Sequence, residues 1–107
     1  MAWVYLLLAG VFEIGFTTFL KLSNDFTRLW PTVSFVMFAL ASFLLLNRAL
    51  SGVALGTAYA VWTGVGAFGT AIVGTMVFGD PLTAWRVFFL TLLIVSIIGL
   101  QIVSPHS

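Results

Sequence analysis

A single carboxylate, Glu13, stands in the middle of an apolar run from Trp3 to Leu20. A run of that length spans most of a hydrocarbon core at about 1.5 Å per residue. A charged side chain near the bilayer centre costs roughly 2.5–3.5 kcal/mol on insertion scales. No basic residue lies in the run to offset that cost. A carboxyl kept in such a place is suited to binding protons, cations, or each in turn. The competing reading is a protonated Glu that only hydrogen-bonds a neighbouring helix, although such bonds contribute about 0.6 kcal/mol on average in membranes.

Helical spacing names the residues that can share a cavity with Glu13. Ala9, Gly10, Phe16, Thr17 and Leu20 fall on its face. Ala9 and Gly10 are expected to leave room beside the carboxylate, and Phe16 offers a ring. Further along, Tyr59 and Trp62 are three residues apart, so both aromatics point the same way. One carboxylate with aromatic faces suits a desolvated cation, each cation–π contact contributing about 2 kcal/mol. The Tyr59 hydroxyl is also a candidate to hold Glu13. Membrane-interface anchoring is the other reading of the two aromatics. Ser42 is the deepest polar residue of the second apolar run, with back-bonding to its own helix as its alternative role.

Four apolar spans must position these groups. They run over about 3–20, 30–46, 53–78 and 85–103 and predict an all-α integral membrane protein of one domain. Lys21 and the polar stretch Ser23 to Arg28 close the first span; Pro31 opens the second. Arg48, Ser51 and Gly52 mark the next connection. Gly79-Asp80-Pro81 stops the long third span and restarts the chain, with Asp80 as expected N-cap and Pro81 in the first turn. Trp3, Tyr5, Trp30 and Trp85 fall near span ends, as an aromatic belt would. The first span lacks a basic n-region and carries Glu13, so it reads as a retained helix and not as a signal peptide.

Composition agrees. Of 107 residues, 62% are hydrophobic and 7% charged, against about 25% charged in soluble domains. A net charge of +1 offers no basic stripe for nucleic acid. There is no Cys, and the one His, His106, sits in a polar tail, so neither metal nor cofactor is expected. No nucleophile–base constellation points to an enzyme.

The third span is rich in small residues. Gly52 and Gly56 make a GxxxG, continued by Ala60 and Gly64. Gly64 and Gly66, one residue apart in a helix interior, suggest either a hinge or close helix packing. Lys21, Arg28 and Arg86 lie on the side of the first and third loops, and Arg48 lies with the termini. Three against one is a weak orientation signal. Four helices are too few to line a broad polar path and exclude lipid, which implies an oligomer, most simply a dimer with both Glu13 residues at one cavity. Copies inserted in opposite orientations would reproduce the inverted repeat of many transporters.

Four segments make the chain resemble the small multidrug resistance family of bacterial inner-membrane exporters: Gly10-Val11-Phe12-Glu13, Phe26 to Pro31, Ala41-Ser42-Phe43 and Gly56 to Gly66. The resemblance implies an antiparallel, dual-topology homodimer, or a pair of homologous chains, that exchanges protons for organic cations. By the same match, Glu13 binds protons or substrate and Tyr59 and Trp62 line the pocket, to which helical spacing adds Phe16 and Gly10. Ser42 supports Glu13, and Gly64 and Gly66 form the hinge. Gly10, Ala67 and the Gly56–Gly64 wording resemble the guanidinium-exporter branch, which has Trp in place of Phe16 and commonly Lys in place of Gln101. Gly15, Thr17-Thr18 and the Phe26–Pro31 segment resemble the quaternary-ammonium branch, which has Tyr in place of Ala39 and Gly in place of Phe16. Two other classes remain: a proton-conducting subunit, and a structural subunit in which Glu13 only joins helices.

Overall fold

The computed structural model describes residues 1–103, so His106 lies outside the described residues. Among the described residues four helices follow one another: α1 (Ala2–Leu22), α2 (Leu29–Ala49), α3 (Leu55–Val77) and α4 (Ala84–Val103). All four are long and apolar enough to cross a membrane. With 20 to 23 residues each, they span about 30 Å, the thickness of a hydrocarbon core. The four expected spans are present with shifted ends. Lys21 and Arg48 sit inside the last turns of α1 and α2, where a cation complements the helix dipole.

α1 is the centre of the molecule, packed along α2 on one side and α3 on the other, while α4 packs on α3 alone. Glycine allows both close approaches. A Cβ at Gly15 would meet the Phe38 ring at 2.7 Å, and one at Gly10 would meet Val65 at 2.6 Å. Phe38 lies over Gly15 between Phe12 and Phe19, with ring centroids 5.5 and 5.3 Å away. No residue of α4 is buried. Its Trp85, Phe89, Val95 and Ile102 face outward, as a lipid-facing surface permits.

The buried core occupies one end of the bundle. It gathers Leu6 and Ala9 of α1, Leu46 and Ala49 of α2, Val53 of the connector, and Ala58 and Val61 of α3. The connector itself is a run of turns, in which the Gly52 and Val53 amides both bond the Ala49 carbonyl.

Two connections turn through left-handed backbone, and the second departs from expectation. Asn24, Asp25 and Phe26 all adopt left-handed backbone, with φ of 49°, 59° and 64°. Such conformations cost an L residue roughly 1–2 kcal/mol, least for Asn and Asp. Ser23 holds the turn: its carbonyl accepts from the Thr27 and Arg28 amides and its hydroxyl from the Phe26 amide. The Phe26 ring then meets Phe35 at 5.7 Å. At the other connection, Asp80 does not cap α4. Gly79, at φ +73°, turns the chain so that the Asp80 amide bonds the Gly74 carbonyl and ends α3. Pro81 therefore precedes α4, and the Thr83 hydroxyl caps it by accepting from the Arg86 amide at 3.2 Å.

Candidate functional site

Glu13 lies midway along α1, on the side that meets α3. Gly66 is its immediate neighbour: a Cβ there would run into the Glu13 carboxyl. Glycine at this point therefore gives the carboxylate its place between the helices. Oε1 is out of solvent contact and accepts no hydrogen bond from any described residue. An oxygen in that condition is poised for a proton or a cation, because a buried acceptor left unpaired costs about 1–3 kcal/mol.

One turn toward the core, Ser42 of α2 donates to the Ala9 carbonyl of α1 at 2.6 Å. The same hydroxyl accepts from the Trp62 indole N–H of α3 at 2.9 Å. Ser42 thus bonds neither its own helix nor Glu13. It ties three helices together and fixes the Trp62 ring one turn from Gly66. Fully buried, it must have such partners.

Around this anchor the aromatic side chains form a continuous row. Tyr59 meets Trp62 edge-on at 5.9 Å, Trp62 meets Phe43 at 5.6 Å, Phe43 meets Phe16 at 6.0 Å, and Phe16 meets Phe35 at 5.9 Å. The expected pair Tyr59 and Trp62 is brought together, and Phe16 joins it through Phe43. No hydrogen bond links Tyr59 to Glu13 among the described residues. Phe43 escaped the sequence reading as a site residue, although it follows Ser42 directly and a face shared with Phe35 would have shown it. Rings in such a row present electron-rich faces of the kind that attract a cation.

Gly10 does not provide room beside the carboxylate. It is buried against Val65, so it sets the α1–α3 distance. Gly64 is filled in the same way by Ile97 and Leu93 of α4, and α3 passes through Gly64 and Gly66 without interruption.

Below Glu13, toward the α1–α2 loop, the α1–α3 seam turns polar. The Thr17 and Thr70 hydroxyls lie 2.7 Å apart across it. They border a cavity of about 170 Å³ that Thr18, Lys21, Val73, Gly74, Phe78 and Asp80 complete. The Lys21 ammonium sits 5.6 Å above the Phe78 ring. The Asp80 carboxylate lies 3.9 Å from Arg86, whose guanidinium also reaches the Ala71 carbonyl at 3.4 Å. Thr70 carried no sequence signal beyond lying one turn past Gly66.

The profile of the Small Multidrug Resistance protein family matches residues 1–93. The chain is 41% identical to a "Guanidinium exporter" of Proteus vulgaris over 104 residues, 97% of this chain and 100% of that protein. A "Guanidinium exporter" of Yersinia pestis is 42% identical over 104 residues with the same coverage. One from Citrobacter freundii is 40% identical over 106 residues, 99% of this chain and 100% of that protein.

Proposed function

Because the chain belongs to the small multidrug resistance family, a four-helix exporter of the bacterial inner membrane and not an enzyme, we propose that it exchanges protons for small organic cations of the guanidinium class. Glu13 is the shared site. The observation that carries this reading is its carboxyl, held between two helices with one oxygen unpartnered among the described residues. Beside it runs a row of aromatic faces.

The cycle follows from occupancy. An ionised Glu13 attracts a cation, and a protonated one does not. Proton and cation therefore exclude each other, and cation binding weakens as the pH falls. Two copies in opposite orientations place both Glu13 carboxyls at one cavity, where they titrate as a coupled pair. Exchange between two arrangements of the dimer, with Gly64 and Gly66 as the flexible points of α3, exposes the pair to either side in turn. Ser42 contributes by holding Trp62 in position.

The names of these relatives favour guanidinium itself as substrate. A second reading, export of bulky quaternary ammonium compounds, is favoured by Phe16. Its ring continues the aromatic row and carries no N–H donor for Glu13, a surface suited to greasy cations.

Solid-supported-membrane electrophysiology on purified protein in liposomes tests both. Guanidinium currents in the wild-type protein that vanish in Glu13→Gln are expected. Uphill export by Glu13→Gln would refute the assignment. Currents with a tetra-substituted ammonium, and none with guanidinium, would replace the first substrate class with the second.

A further inference from the structure

The stripe on α1 that begins at Glu13 continues at one-turn steps through Thr17 to Lys21. The facing stripe on α3 runs Gly66, Thr70, Gly74. The two are in register, with Glu13 against Gly66 and Thr17 against Thr70. Gly74 lies against the Asp80 carboxylate. A polar seam thus descends between two packed helices from the carboxylate to the loop end, and its lower part is hollow.

We propose that this cavity is the aqueous route by which protons reach Glu13, with the Thr17–Thr70 hydroxyl pair as its inner end. The proposal rests on Glu13 being the proton site and adds the path to it. At about 170 Å³ the cavity has room for a chain of several waters. Charge favours protons over organic cations there. Lys21 at the mouth repels an organic cation, whereas a water chain relays a proton without carrying one cation bodily past another. The facing charged groups are Lys21 on α1, Asp80 after α3 and Arg86 on α4; α2 presents none to the cavity.

The hydroxyl pair is arranged for relay. Thr17 donates to the Ile14 carbonyl at 3.0 Å, so Thr70 is the donor of the 2.7 Å bond. The Thr17 hydroxyl first turns from the Ile14 carbonyl toward Glu13; each hydroxyl then accepts one proton from the cavity side as it gives up its own, and rotation resets the pair. The last gap is one helical turn, about 5–6 Å between Cβ atoms, within the reach of a single bridging water. In the antiparallel pair proposed above, the two cavities open on opposite faces of the membrane.

The test measures guanidinium-driven proton flux in liposomes with a trapped pH dye, and guanidinium affinity by tryptophan fluorescence. Thr70→Val should slow proton flux at least about tenfold, the lower range for loss of a proton-transfer group, with affinity unchanged. Thr70→Ser should restore the flux. Wild-type flux in Thr70→Val, or equal slowing in both variants, would overturn the route. The chain has no Cys, so a second measurement introduces Val73→Cys in the cavity wall. A small charged methanethiosulfonate should modify it from water and slow proton flux. Failure to react, or protection by bound guanidinium, would overturn the proposal. Glu13→Gln run in parallel separates the two levels: its coupled export would sink the underlying assignment, and its silence beside a normal Thr70→Val would sink only the route.

Discussion

The seam between α1 and α3 has two unlike halves, divided at Glu13. On the side of the α2–α3 connector it is closed by Leu6, Ala9, Ala58 and Val61, and is cross-tied by Ser42 to Ala9 and Trp62. On the side of the other two loops it holds three threonines, a lysine and an aspartate around open volume. One helix pair thus supplies both a packed end and a hollow end. The carboxylate sits at the boundary between them. On the proposed route, that asymmetry shields it from one side and opens it to the other.

Truncation at both ends gives the largest contrast. Leu6 is fully buried, so Leu6→Ala should cost about 2–5 kcal/mol of stability. Val73 borders a cavity, and Val73→Ala should cost less than about 1 kcal/mol, in the lower range for a truncated side chain. Unfolding in mixed detergent micelles reads both; equal losses would dissolve the distinction between the halves.

Glycine substitution sharpens it next. At Gly10 the new Cβ meets the stiff Val65 side chain, and Gly10→Ala should destabilise by about 1–3 kcal/mol through overpacking. At Gly66 the atoms nearest to it are those of the movable Glu13 carboxyl. Gly66→Ala should keep the fold yet lower the transport rate by about tenfold, the equivalent of 1.4 kcal/mol. Thermal melts paired with liposome currents separate the effects. A Gly66→Ala protein with normal transport would mean that the carboxyl does not work from this position.

Ser42→Ala removes the cross-tie of the packed half at about 1 kcal/mol of stability. Its diagnostic is a several-fold weaker guanidinium affinity, because Trp62 loses its anchor; Ser42→Thr should retain most of it. The smallest effect is expected at the hollow end, where Thr83→Ala removes the α4 cap. The loss should be about 0.5–1 kcal/mol, and Asp80→Asn, which leaves the backbone bond to Gly74 intact, should disturb α4 less. Hydrogen exchange at the Arg86 amide reports the difference.

Much of the fold was legible because apolar length and the placement of charge are properties read along the chain. Four spans, Lys21 and Arg48 at helix ends, Glu13 inside the first span, and the shared face of Tyr59 and Trp62 all follow from counting residues at helical spacing. Membership of an exporter family rested on ordered motifs that are equally one-dimensional. The contacts between helices were not legible, because they depend on which residues the packing sets side by side. Ser42 serves Ala9 and Trp62, Gly10 spaces two helices and adds no room, Gly66 faces the carboxylate, and Thr17 finds Thr70 from 53 residues away. Local turn chemistry misled for a related reason: Asp80 and Thr83 both qualify as caps in sequence, and the left-handed Gly79 decided between them by spending the Asp80 amide on α3. The sequence determined that a carboxylate would stand in the membrane. Only the tertiary structure decided that one side of it is packed shut and the other lined with hydroxyls.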